Sequence, residues 1–182
     1  MACESFVTTN FVLVGGEITT SQHLDIEEIA RKVVKEIGYT DEKIGFDYRT
    51  FRLQNLVHEQ SPDISQGVSE GEGKEQGAGD QGLMFGYACR ETPQLMPLPI
   101  MLAHQITQRL TEARKTGALP FLRPDGKSQV TVEYRDGRPA RVDSVVVAAQ
   151  HTEDVSREAM EQGIIEKVIR PVIPSHYLDS RT

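Results

Sequence analysis

Residues 60–79 interrupt the chain with six glycines or prolines, four acidic residues and few large apolar side chains. A stretch so poor in apolar surface has little to bury, and long segments of this kind inside compact chains are either functional or disordered. The sequence therefore reads as two patterned halves, residues 1–59 and 77–182, with 60–76 as the junction between them.

In the first half, residues 6–14 are rich in β-branched and aromatic side chains and are followed by Gly15-Gly16, which predicts a buried strand continuing toward Thr20 after a bulge or bend. An amphipathic helix follows. Asp25 is placed to cap it, with Glu28 three residues on; Ile26, Ile29, Val33 and Ile37 repeat at helical spacing, and Gly38 supplies a stop. Residues 51–57 are strand-like. In the second half, residues 83–89 read as a buried strand. The Pro-rich patch 93–99 leads into a helix with Ala103, Ile106, Leu110 and Ala113 on one face, ending near Gly117. Val130, Val132 and Tyr134 alternate, Asp136-Gly137 is a turn signal, and residues 141–149 return, which predicts a hairpin. A last helix over 156–169 should bury Met160, Ile165, Val168 and Ile169 and stop at Pro171. Helices mixed with sequential and hairpin strands give an α+β class built as helix on sheet.

Composition excludes more than it assigns. A formal net charge of −7 argues against duplex nucleic acid or an anionic membrane as the main partner, yet a few local cations can still hold a phosphate. No apolar run reaches the length that spans a bilayer. Cys3 and Cys89 have no metal-ligand spacing, which fits a reducing cytoplasm, and the five histidines show no zinc-type pairing. Gly77-Ala78-Gly79-Asp80-Gln81-Gly82 satisfies G-x-G-x-x-G, but an acidic glycine-rich stretch precedes it, a strand-like run follows it, and Met101 stands where a ribose-binding acid belongs. Gly126-Lys127-Ser128 looks like the end of a phosphate-binding loop, but Phe121 replaces the earlier glycine and a strand follows. What survives is a lysine on a glycine-flanked turn beside Arg123 and Asp125, ordinarily a solvated charge but able to act as a point charge on a phosphate.

Six segments nevertheless resemble, in order, one known family. Ala2-Cys3-Glu4, Gly15-Gly16-Glu17-Ile18-Thr19-Thr20, Glu36-Ile37-Gly38-Tyr39 and Gln60-Ser61-Pro62-Asp63-Ile64 are similar to the N-terminal domain of methionine adenosyltransferases (S-adenosylmethionine synthetases). Gly77-Ala78-Gly79-Asp80-Gln81-Gly82-Leu83-Met84-Phe85-Gly86-Tyr87 resembles that family's best-known signature, and Arg123-Pro124-Asp125-Gly126-Lys127-Ser128-Gln129-Val130 resembles its central domain.

The resemblance implies attack by the sulfur of L-methionine on C5′ of ATP, departure of the whole triphosphate, and its cleavage to phosphate and pyrophosphate. It implies that Glu4 holds the methionine ammonium group, that Gln60 contacts methionine, and that Asp80 lies at the methionine and nucleotide pocket. Asp125, Gly126 and Lys127 would line the ATP site, with Lys127 as the catalytic charge on the phosphates. A mobile gate would comprise Gln60, Ser61, Pro62, Asp63, Ile64, Ser65, Gln66, Gly67, Val68, Ser69 and Glu70. Mg2+ and K+ are implied cofactors, and a homo-oligomer, dimer or tetramer, is the implied assembly. The family's His-Pro-Asp-Lys motif, which brings one magnesium aspartate, does not occur in these 182 residues. Its potassium-site glutamate would lie upstream of Met1, and further basic ligands, another magnesium aspartate and a third domain would follow Thr182. The expectation is thus a part of a longer enzyme, inactive by itself and carrying no metal ligands; the alternative is a truncated non-catalytic relative that serves as a binding or interaction subunit.

Overall fold

The computed structural model describes residues 2–68, 73 and 75–182. The chain is α+β and divides into two compact units, one ending at Phe85 and the other spanning Gly86–Thr182.

The first unit is a three-stranded sheet with one helix on it. Strands β1 (Ala2–Thr8) and β2 (Phe11–Glu17) form an antiparallel hairpin, and β3 (Arg52–His58) joins β2 in parallel after helix α1 (Ile26–Ile37) crosses over. The single strand expected over 6–14 is thus two. Thr9-Asn10 makes the turn, with Asn10 at φ 56, a left-handed position asparagine tolerates better than most residues. Gly15 and Gly16 lie inside β2, opposite Glu4 and Cys3.

The α1 cap is as expected. The Asp25 carboxylate accepts the Glu28 N–H at 2.9 Å, an arrangement that contributes about 1 kcal/mol, and Gly38 ends the helix at φ 116. The buried stripe differs. Val34 and Ala30 face Val12, Val14, Phe51 and Leu53, while Ile29, Val33 and Ile37 are exposed. Part of the glycine-rich stretch is ordered as helix α2 (Pro62–Val68), with Pro62 at a position where its missing N–H costs nothing. Ser69 and Glu70 of the expected gate lie outside the described residues.

In the second unit, helix α3 (Leu98–Lys115) packs on a long two-stranded hairpin, β4 (Leu122–Arg135) and β5 (Arg138–His151). Asp136 at φ 49 and Gly137 at φ 72 form the two-residue turn that the Asp-Gly pair predicted. One face of α3 buries Leu98, Leu102, Ala103, Ile106, Leu110 and Ala113 against Leu122, Val130 and Val142. Each fully buried large aliphatic there contributes about 1.5–3 kcal/mol. Glu91 anchors the start of α3, because one carboxylate oxygen accepts both the Leu98 N–H at 2.8 Å and the Tyr134 hydroxyl at 2.7 Å.

Helix α4 (Arg157–Ile164) begins on a Ser156 cap, runs into a π-helical turn over Ile165–Ile169, and continues as α5 (Arg170–Val172). The π turn shifts the buried stripe, so that Ile164, Val168 and Ile173 are buried while Ile165 is exposed. It also carries the helix past Pro171 instead of stopping there.

The strand expected over 83–89 is absent. Leu83, Met84, Phe85 and Tyr87 are exposed, Phe85 to 95%. A strand needs a ladder partner, and among the described residues none pairs with this run, which straddles the division between the units.

Candidate functional site

Two of the three residues assigned to methionine by resemblance share one end of the first unit's sheet. Glu4 pairs with Gly15, and Gly15 with Leu56, so the three sit side by side on one face; Ala2, Glu17 and His58 form the next row toward the same end. This face is opposite the one α1 covers, since Val12, Val14 and Leu53 are at the alternate positions. Glu4 faces a glycine across the ladder, so no side chain stands directly opposite its carboxylate. Gln60 lies two residues beyond His58, and its N–H donates to Thr19 Oγ1 at 3.1 Å, joining the chain leaving β3 to the chain leaving β2. Glu17 and His58, which sequence reasoning did not single out, meet at 3.5 Å on this face. Asp80 is different. Its carboxylate accepts the Gln81 N–H at 2.7 Å in an exposed turn, the ordinary use of aspartate in a glycine-rich bend.

The phosphate candidates lie on β4 of the second unit. Lys127 is in a strand and not on a turn, which corrects the expectation from its glycine neighbour: the regular ladder begins at Gly126↔Ala149 and continues with Lys127↔Ala148. Even-numbered residues of β4 turn toward α3, and Asp125, Lys127 and Gln129 are exposed on the other side. Lys127, like Glu4, faces a small cross-strand residue. Gly126 sits against α3, where an added Cβ would meet Leu110 Cδ1 at 3.3 Å.

The strongest electrostatic perturbations lie elsewhere, in structural clamps. The guanidinium of Arg49 beside buried Asp47 holds that carboxyl down at about 2. Arg141 is buried and donates to Asp179 at 2.9 and 3.1 Å and to Asp143 at 2.6 Å, which holds Asp179 well below the usual carboxylate range. Glu91 is also lowered, first by the Leu98 N–H and then by the Tyr134 hydroxyl. Each of these three carboxylates fastens a loop, a tail or a helix start.

Among the described residues, no three His, Cys, Asp or Glu side chains converge as a metal site. Those residues therefore offer no all-protein cage for the implied Mg2+. Among the same residues, no helix is long and apolar enough to cross a membrane.

The model of the S-adenosylmethionine synthetase N-terminal domain matches residues 1–62, and that of the S-adenosylmethionine synthetase central domain matches residues 75–182. Curated relatives include the S-adenosylmethionine synthases of Syntrophobacter fumaroxidans, 56% identical over 100% of this chain and 47% of the relative, and of Wolinella succinogenes, 56% identical over 98% of this chain and 46% of the relative. That of Helicobacter hepaticus is 54% identical, again over 98% of this chain and 46% of the relative. The chain thus spans about half the length of the curated relatives it matches.

Proposed function

Because the chain belongs to the S-adenosylmethionine synthetase family, with segments matching its N-terminal and central domains, we propose that it forms part of an enzyme that makes S-adenosylmethionine from ATP and L-methionine. The sulfur lone pair attacks C5′ of ATP, the C5′–O bond breaks, and the electrons leave on the triphosphate, which water then cleaves to phosphate and pyrophosphate. A thioether is a modest nucleophile, so the rate has to come from alignment and from stabilising charge on the leaving group.

The chain's own residues supply parts of both. Glu4 gives a carboxylate for the methionine ammonium group, and Gln60 contacts the same substrate at the start of a gate whose described part is α2. Asp80 borders the pocket. Asp125 and Gly126 line the nucleotide, and the Lys127 ammonium group rests on the phosphates as negative charge develops on the departing oxygen. The observation that carries this reading is the presentation of Lys127: a cation on a regular strand, turned away from the helix layer and opposite an alanine. A cation presented this way can stabilise the charge that develops as the triphosphate leaves.

The test is Lys127→Met in the complete enzyme. The variant should keep the wild-type unfolding temperature and lose roughly 10²-fold in turnover, the scale of one positioned electrostatic group. Near-normal turnover would return Lys127 to the role of a solvated strand lysine.

A further inference from the structure

Lys127 is the second residue of the regular β4–β5 ladder. Just before it, the register shifts between Leu122↔His151 and Gly126↔Ala149. Across such a shift the pairing alone does not carry one register into the next, so a second contact helps to set where Gly126, Lys127 and Ser128 sit. A two-stranded ribbon is marginally stable by itself and depends on another layer, here α3, to hold it.

The next residue has the chemistry to hold it. Ser128 turns toward α3, and its hydroxyl donates to the Ala103 carbonyl oxygen at 2.7 Å. Ala103 is a buried residue of the helix, and its carbonyl also receives the Thr107 hydroxyl at 3.4 Å, so the 2.7 Å serine bond is the shorter of its two side-chain bonds. Gly126, two residues earlier on the same face, lets the strand approach Leu110 closely. Glycine permits the approach, and the serine hydroxyl gives it a direction. An apolar side chain at 128 would pack against α3 but would not select one longitudinal position over another.

We infer that Ser128 is a positioning residue for Lys127, fastening β4 to the Ala103 carbonyl so that the adjacent ammonium group is held at a fixed height on the opposite face. This rests on the reading that Lys127 serves the phosphates, and it adds the residue on which that placement depends. Adjacent strand residues point to opposite faces, so a shift of the backbone at 128 moves Lys127 directly, and misplacement of a catalytic group by about 1 Å costs up to roughly 10²-fold.

A double-mutant cycle in the complete enzyme tests it. Ser128→Ala should lower kcat roughly 10-fold with little change in the KM for methionine, and Ser128→Thr, which keeps the hydroxyl, should recover most of that loss. In a Lys127→Met background, Ser128→Ala should have no further effect on kcat. An equal loss in both backgrounds, or normal kcat in Ser128→Ala, would overturn the positioning role. Should Ser128→Ala fail to fold, Ser128→Cys, of similar size and a weak donor, takes its place in the same cycle. Near-normal turnover of Lys127→Met alone would instead reject the phosphate reading, an outcome visible without any change at Ser128.

Discussion

The Nε of Arg109 donates to the carbonyl oxygen of Lys167 at 3.0 Å, and Pro171, four residues after Lys167, is the reason this carbonyl is available. In an α-helix that oxygen would receive the N–H of residue 171, and proline has none. A side chain from α3 takes over the acceptor and ties the two helices together. Lys167 Nζ reinforces the link by donating to the Ala118 carbonyl at 2.9 Å.

Arg109→Ala should therefore lower the stability of the chain by about 1 kcal/mol, the usual net worth of one such bond at a partly exposed site. The cost should shrink in a Pro171→Ala background, where a backbone N–H returns to the helix. Urea denaturation of the four variants measures it, and identical costs in the two backgrounds would show that the proline is irrelevant.

Acid should release the chain's end from the hairpin. Arg141 holds the Asp179 carboxyl well below its ordinary value, so the folded state binds that proton later than the unfolded chain does. The contribution is fully present above the unfolded carboxylate range, near pH 4, and is lost as pH falls toward the folded value. Asp179→Asn should be less stable than the wild type at neutral pH, because a buried guanidinium loses its bidentate partner, and should lose less stability between pH 5 and pH 2. Asp143 and Glu133 also face Arg141, and Arg181 faces Asp179, so the dependence is reduced and not abolished. Unfolding midpoints across that pH range decide the matter; parallel curves for the two proteins would exclude the latch.

Gly16 should tolerate no side chain, and Gly15 should tolerate one. At Gly16 the φ of 135 is disfavoured for L residues, and an added Cβ would lie 2.2 Å from the Ala2 carbonyl oxygen. At Gly15 the nearest atom would be Leu56 Cβ at an ordinary 3.5 Å. Gly16→Ala should cost about 2 kcal/mol or more through backbone strain and a displaced β1, and Gly15→Ala should stay within about 1 kcal/mol. Thermal unfolding of the two variants gives the comparison.

Local signals were legible where a single residue fixes the backbone. Asp25 and Gly38 bound α1, Asp136-Gly137 turned the long hairpin, and the apolar stripe of α3 fell on its buried face. Errors came where a partner decides the structure. The run Leu83-Met84-Phe85 has strand composition, yet composition forms no ladder, and a Thr-Asn pair gives a weaker turn signal than Asp-Gly. Pro171 stops an ordinary helix, and only the π turn before it lets α5 continue. For the candidate site, the glycine beside Lys127 suggested a turn because glycine marks both turns and close packing, and only α3 in place distinguishes them. Ser128 gave no signal at all, since its acceptor is a backbone atom 25 residues away in sequence. The roles of Glu4 and Gln60 came from family resemblance alone; the sheet adds that β1 and the exit of β3 are at one end.

That shared end makes a sharp prediction for Glu4. The proposed role is an ion pair with the methionine ammonium group, and the carboxylate stands opposite Gly15, with no side chain directly across the ladder from it. Glu4→Gln keeps the size and the strand but removes the charge. In the complete enzyme, the KM for methionine should rise roughly 10- to 100-fold, the range expected from one charge-assisted hydrogen bond, while the KM for ATP stays near its wild-type value. A desamino analogue, 4-(methylthio)butanoate, separates this role from a general disturbance of the pocket. It has the sulfur and the carboxylate but no ammonium group, so the wild type should bind it weakly and Glu4→Gln should bind it no worse. Competition of the analogue against methionine in both proteins gives its inhibition constant. If Glu4→Gln weakens the analogue as much as it weakens methionine, the carboxylate shapes the pocket without holding the amine, and the assignment fails even though the KM has risen.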